Sequence, residues 1–107
     1  MIAWSAHLST LFDDLPPLAR PAAARTAGLG AVETWWPPAP EPGDWIAAVA
    51  AAGLTASLVN ADGGDLARGD RGFCNDPARV AEVVDSVVAA LRVAVACGGD
   101  TVNLLVG

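Results

Sequence analysis

At 107 residues the chain has room for one domain, and a hydrophobic share of 53% lets it bury a core, which excludes disorder. A formal charge of −6, with six scattered Arg and no Lys, excludes a nucleic-acid surface, which needs clustered positive charge. Two cysteines without a CxxC, Cys74 and Cys97, exclude a disulfide scaffold and read as reduced thiols of a cytoplasmic protein.

The N-terminus has no basic segment followed by an apolar run, so a signal peptide is not expected. Val80 to Ala96 is the longest apolar-rich region, but it carries Glu82, Asp85, Ser86 and Arg92 and is too polar to span a bilayer.

Ile2 to Leu8 alternates, with Ile2, Trp4, Ala6 and Leu8 on one face and Ala3, Ser5 and His7 on the other, which predicts a strand. Asp13-Asp14 and Pro16-Pro17 then start a helix that runs to about Ala27 and stops at Gly28. Pro21 lacks an N–H one turn inside, so a kink or restart is expected there. Ala31 to Trp36 is the second strand, followed by a proline-rich extended connection through Pro37, Pro38, Pro40 and Pro42. Asp44 is the expected cap of a second helix, Trp45 to Ala52, which ends at Gly53.

Thr55 to Asn60 is the third strand and leads into a long Gly-rich loop, Ala61 to Asn75. Asp76 and Pro77 open a third helix in which Val80, Val84, Val87, Leu91 and Val95 recur at helical spacing, with Gly98-Gly99 as the stop. Thr101 to Val106 is the fourth strand. A polar loop of that length after a strand of a parallel sheet points to function more than to mere connection.

Strand–helix–strand units imply a parallel sheet with right-handed crossovers. A doubly wound sheet buries both faces and its strands read as continuous apolar runs. Here Ser5 and His7 share one face, Glu33 interrupts the second strand, and Thr101 and Asn103 share a face of the fourth. Polar inner faces suit a barrel lumen with a site at its mouth, and a closed barrel needs about 250 residues. Residues 1–107 therefore read as one partial domain: the N-terminal half of a (β/α)8 TIM barrel, with four parallel strands and three helices.

Six residues are candidates for binding a small molecule at that mouth. His7 ends the first strand and can hydrogen-bond a substrate oxygen or a neighbouring loop. Glu33 is an acid in an apolar strand, costly unless paired, so it orients a substrate or meets an arginine. Trp35 and Trp36 should point to opposite faces, one under a helix and one lining the mouth. Asn60 and Asn103 end strands in equivalent places and can bind hydroxyls or loop backbone. Arg71, in Gly69-Asp-Arg-Gly72, can grip a carboxylate with two parallel hydrogen bonds, or pair with Asp65 or Asp70 inside the loop. Asp62, Asp65 and Asp70 do not have EF-hand spacing and read as solvated acids.

Several stretches together resemble the hydroxypyruvate isomerase family, within the xylose-isomerase-like group of TIM barrels. They are Ala6-His-Leu-Ser-Thr-Leu-Phe12, Gly30-Ala-Val-Glu-Thr-Trp-Trp-Pro37, Asn60-Ala-Asp-Gly-Gly-Asp65 with Arg68-Gly-Asp-Arg-Gly72, and Asn103-Leu-Leu-Val-Gly107. His7 departs from the Asn usual in the family, and Pro21 has no counterpart. The resemblance implies interconversion of hydroxypyruvate and tartronate semialdehyde through an enediolate, with glutamates as acid and base and a divalent metal (Mg or Mn). In the family those glutamates and metal ligands come from later strands, so no catalytic or metal residue is expected in this chain. The expected partners are a small hydroxy-keto acid and either a second copy or a complementary half-barrel; another xylose-isomerase-like sugar isomerase or epimerase is an alternative.

Overall fold

The computed structural model describes residues 1–107. Four strands, β1 (Ser5–His7), β2 (Ala31–Thr34), β3 (Thr55–Asn60) and β4 (Val102–Asn103), form one sheet in the order β1-β2-β3-β4, with every neighbouring pair parallel. Three α-helices alternate with them: α1 (Arg20–Thr26), α2 (Pro42–Ala51) and α3 (Val80–Ala96). The expected parallel βα repeat is thus present, with the long loop between β3 and α3.

One face of the sheet is dry. Ala6, Val32, Ala56 and Val59 are buried there against Ala24 of α1, Trp45 and Val49 of α2, and Ala90, Val93 and Ala94 of α3. Small side chains on both sides let the helices lie close to the strands. Gly99 allows the closest approach: a Cβ at that position would stand 1.9 Å from the carbonyl oxygen of Ala56.

The other face carries the polar residues. Ser5 and Ser57 join their hydroxyls at 2.7 Å from strands two apart. Ser57 is the extra residue of a bulge, because Val32 pairs with Ala56 while Glu33 pairs with Leu58.

Several element boundaries differ from the sequence expectations: β2 stops at Thr34 short of Trp36, and β4 spans only Val102–Asn103 of the expected Thr101 to Val106. β1 is shorter than Ile2–Leu8: Ile2 and Trp4 are 74% and 69% exposed, because no neighbouring strand reaches them. The first helix restarts as expected, as a 3-10 turn at Pro17–Ala19 followed by α1, and Pro21 falls in the first turn of α1, where its missing N–H costs nothing. α2 begins at Pro42 with Glu41 as its N-cap residue, so Asp44 lies in the first turn, favourable to the helix dipole, and is not the cap. Asp76 does cap, accepting from the Ala78 N–H at 2.9 Å, but it caps a 3-10 turn (Pro77–Arg79) that precedes α3.

The largest difference lies on α3. The helix expected from the spacing of Val80, Val84, Val87, Leu91 and Val95 is present, but of these five only Val87 turns toward the core and the other four are exposed. The core-facing side is Ser86, Ala90, Val93 and Ala94, with Val87 half-buried against it. α3 is apolar on two sides, so helical spacing alone could not say which one meets the sheet.

Arg79 anchors the start of α3: its guanidinium donates to the Glu82 carboxylate, with Nε to Oε2 at 2.8 Å, and stacks 4.0 Å over the Phe73 ring. That hydrogen bond holds the Glu82 carboxyl below its ordinary range and the Arg79 guanidinium above its own. Both groups are well exposed, so the pair adds little to stability.

Both cysteines are free thiols. Cys97 is buried beneath the sheet, and burial pushes its thiol above the ordinary cysteine range. Cys74 is half-buried, with its Sγ donating to the Leu105 carbonyl at 3.3 Å. At pH 8 iodoacetamide should therefore modify Cys74 first and reach Cys97 only after denaturant is added. Mass mapping of the alkylated peptides reads the order; equal rates in the native chain would contradict it.

Candidate functional site

The ends of β2, β3 and β4 and the long loop enclose a cavity of about 400 Å³, lined mainly by Trp35, Trp36, Asn60, Arg71, Asn103 and Leu105. Four of the six candidate residues, Trp35, Asn60, Arg71 and Asn103, meet there. His7 and Glu33 are not among the lining residues.

Strand register explains the division. His7 is paired with Glu33, and Glu33 with Leu58. Asn60 lies two residues beyond Leu58 and is paired with Asn103. His7 and Glu33 thus form a layer below the rim, and Asn60 and Asn103 belong to the rim itself. Trp35 follows Thr34, the partner of Val59, and so reaches the rim from β2.

Each rim residue is held by its own local structure. Trp35 donates its backbone N–H to Ser9 Oγ at 3.0 Å, and Ser9 Oγ lies 3.3 Å from Thr34 Oγ1, so the first loop fixes the end of β2. Asn103 Nδ2 donates to Asn60 Oδ1 at 2.9 Å. That leaves the Asn60 amide NH₂ as donor and the Asn103 amide oxygen as acceptor for a ligand.

Arg71 does not pair with Asp65 or Asp70. Its Nη1 donates to the backbone carbonyls of Leu66 at 3.0 Å and Asp70 at 2.6 Å. The remaining guanidinium N–H groups are left for a partner in the cavity.

The loop acids, expected as solvated, hold the loop's shape. Asp62 accepts from the Gly64 N–H at 2.8 Å, Asp65 from Arg68 at 3.2 Å, and Asp70 from Asp65 at 2.9 Å. The loop is also fastened to the segment after β4. Gly72 donates to Gly63 at 2.8 Å and bridges to Val106, and Asn75 donates to the Val106 carbonyl at 3.1 Å. This wall of the cavity is built, not draped.

Below the rim, the imidazole of His7 meets Trp35 edge to face, with ring centroids 5.5 Å apart. Its Nδ1 is buried and has no hydrogen-bond partner. His7 therefore does not bond a neighbouring loop through that nitrogen. Glu33 is half-buried and makes no ion pair with an arginine; the salt bridge in the chain is Arg79–Glu82.

Sequence reasoning missed Trp36 and Leu105 as lining residues. Strand alternation placed Trp35 and Trp36 on opposite sides, yet both border the cavity. β2 ends at Thr34, so alternation no longer applies two residues later. The run of prolines from Pro37 was the available signal that the strand was about to stop.

The lining offers two amides, two indoles and a guanidinium, and no carboxylate. Such a set suits a small anion bearing hydroxyl or carbonyl groups. It does not suit a divalent cation, which takes hard oxygen ligands, and no group of three or more His, Cys, Asp or Glu in the chain is placed to hold a metal.

A parallel βα repeat with its polar side chains gathered at one rim defines the chain as part of a TIM barrel, and its similarity to known proteins makes that barrel one of the xylose-isomerase-like kind. By sequence the chain is homologous over its full length to proteins named hydroxypyruvate isomerase. It is 37% identical over 107 residues to hydroxypyruvate isomerase of Escherichia coli (strain K12), covering 100% of this chain and 42% of that protein. It is 35% identical over 107 residues to 2-oxo-tetronate isomerase of Cupriavidus necator, covering 100% of this chain and 41% of that protein. Among solved structures it is similar to a Brucella melitensis protein described as AP endonuclease, family 2, with a TM-score of 0.85 and 34% identity over 95% of this chain and 40% of that one. No protein-family model matches the chain. The chain thus spans about two fifths of the length of the curated relatives it matches. No helix is long and apolar enough to cross a membrane.

Proposed function

We propose that this chain forms the substrate-holding wall of an isomerase that interconverts hydroxypyruvate and tartronate semialdehyde. The observation that carries the reading is Arg71, fixed by two backbone carbonyls at the edge of a small cavity beside the Asn60–Asn103 pair. Hydroxypyruvate and 2-oxo-tetronate, named for the relatives' reactions, share a carboxylate next to a carbonyl. Arg71 takes the carboxylate; Asn60 and Asn103 take the carbonyl and hydroxyl oxygens; Trp35 and Trp36 cover the carbon skeleton. His7 and Glu33, one layer lower, contact the substrate from beneath or orient a group that does.

The reaction moves a proton from C3 to C2 through an enediolate, so it needs a base and an acid at those carbons. The cavity lining contains neither, and we assign both to polypeptide outside this chain. A divalent metal, which steadies the enediolate oxygens in such chemistry, would also be held there.

Binding without turnover is the expected behaviour of the purified chain. Hydroxypyruvate should shift the indole N–H resonances of Trp35 and Trp36 saturably, and glycerol, which lacks the carboxylate, should not. A hydrogen bond to a charged group contributes about 1.5–3 kcal/mol, so Arg71→Met should weaken binding by about 10- to 100-fold. Absence of a shift in the wild-type chain would overturn the substrate wall. Turnover of hydroxypyruvate by the 107 residues alone would overturn the assignment of acid and base elsewhere.

A further inference from the structure

A second cavity, of about 340 Å³, shares Trp35 and Trp36 with the rim cavity as a common wall. It lies on the helix side of that wall, between the segments that follow β1 and β2 and the starts of α1 and α2. Arg20 is the one charged residue in its lining, and no carboxylate faces it.

Arg20 is held much as Arg71 is. Its Nε donates to the Leu15 carbonyl at 2.9 Å and its Nη1 to the Leu8 carbonyl at 2.8 Å. Three of the five guanidinium N–H groups are left over, both of those on Nη2 among them. The residue is half-buried and has no ionic partner; Asp13 and Asp14, the nearest acids in sequence, are exposed and do not pair with it. Twelve acids accompany six Arg in this chain, so the lack of a counter-charge is not a shortage of acids. A cation drawn partly out of water without an anion carries a desolvation cost that a bound anion offsets.

A second donor borders the same space. Trp45 is only 2% exposed and lines the cavity, yet its indole N–H donates to no group of the chain. That nitrogen is not sealed off either, since His7 Nδ1 is the one unpartnered side-chain nitrogen or oxygen that is fully enclosed. A buried Trp N–H ordinarily has an acceptor, and the cavity is where one can reach it. The hydroxyls offer no further hydrogen. Thr34 Oγ1 donates to the Trp35 carbonyl at 3.0 Å, which leaves the Ser9 hydrogen to span the 3.3 Å between Ser9 Oγ and Thr34 Oγ1. The rest of the wall is apolar, with Leu8, Pro37 and Ala39 beside the indole of Trp36.

We propose that this cavity binds a small carboxylic acid with an apolar body. The carboxylate takes the free N–H groups of Arg20, with the Trp45 indole N–H as a further donor, and the body lies along Trp36 and Pro37. Inorganic phosphate has the charge but would leave the apolar wall uncovered. The site is separate from the one beside Arg71 and stands whatever that cavity takes.

The test is titration of the ¹⁵N-labelled chain with benzoate, followed at the indole N–H of Trp45, which lines this cavity and not the rim cavity. The resonance should shift saturably. Benzyl alcohol, with the ring and no charge, and inorganic phosphate, with charge and no ring, should each bind at least 10-fold more weakly. Arg20→Gln should weaken benzoate by about 10- to 100-fold. That variant also gives up the bonds to Leu8 and Leu15, so Ala39→Asp serves as a second. Ala39 is exposed and lines the cavity, and a carboxylate there opposes the ligand's own without touching those bonds. Circular dichroism of Ala39→Asp should match wild type while benzoate affinity falls by about 10-fold or more. Arg71→Met should leave the Trp45 titration unchanged. Four results would each overturn the proposal: no saturable shift at Trp45, benzyl alcohol equal to benzoate, phosphate equal to benzoate, or full benzoate affinity in both Arg20→Gln and Ala39→Asp.

Discussion

Trp45→Ala should remove most of the chain's stability at 25 °C. Trp45 is the largest fully buried side chain, 2% exposed, and joins α2 to the dry face of the sheet. Truncating a buried Trp costs about 3–5 kcal/mol, made up of lost transfer energy and the cavity left behind. The core is mostly Ala and Val, which are too short to collapse into a space of that size. A domain of this length has about 5–15 kcal/mol in hand, and an open sheet with two bare ends sits toward the low end. Urea unfolding followed by far-UV circular dichroism checks this: the midpoint should fall by more than half. A midpoint within a tenth of wild type would show that α2 contributes little to the core.

Gly72→Ala should unseat the long loop while leaving the helices folded. Gly72 has φ +99°, a backbone region costly for any residue with a Cβ, by about 1–3 kcal/mol. The added Cβ would also stand 1.9 Å from the Leu105 carbonyl oxygen, a backbone atom that no rotamer change can move. Gly72 is where the loop bonds to Gly63 and bridges to Val106, and Arg71 is the preceding residue. Releasing it should free Arg71 from its fixed place. Hydrogen exchange should show lost protection at residues 72 and 75, with protection in α2 and α3 near wild type. Hydroxypyruvate binding should fall about as far as in Arg71→Met, 10- to 100-fold. Full retention of binding would mean that the loop's attachment does not position the guanidinium.

These two variants separate what the core does from what the site requires. The core holds three helices to one face of the sheet and needs only apolar volume of the right shape. The site needs register: Asn60 opposite Asn103, Trp35 carried past Thr34, and a loop tied back to the segment after β4. A fault in the first unfolds the chain. A fault in the second leaves a folded chain with a misplaced arginine.

Much of this was legible from residue order alone. β3 spans Thr55–Asn60 as expected, since Gly53 ends the preceding helix and the loop begins at Ala61. The restart of the first helix at Pro21 and the parallel βα order also followed from local chemistry, because proline geometry and helix stops act within a few residues. The candidate rim residues Trp35, Asn60, Arg71 and Asn103 were found as polar or aromatic groups at strand ends and in the long loop.

Other features depended on neighbours distant in the chain. The alternation of Ile2 and Trp4 predicts a strand, but a strand exists only where a partner pairs with it, and none reaches those residues. Helical spacing in α3 defines an apolar helix, but two of its sides are apolar, and only packing shows that Ala90, Val93 and Ala94 face the sheet while Leu91 and Val95 do not. His7 and Glu33 share the inner face with the rim residues. Their register, one layer below Asn60, arises from pairing between strands, which no period within a single strand encodes. The sequence by itself therefore determined the kind and order of the elements and the chemistry available at their ends. The tertiary structure decided which of those groups stand together, because pairing and packing are set between segments and not along them.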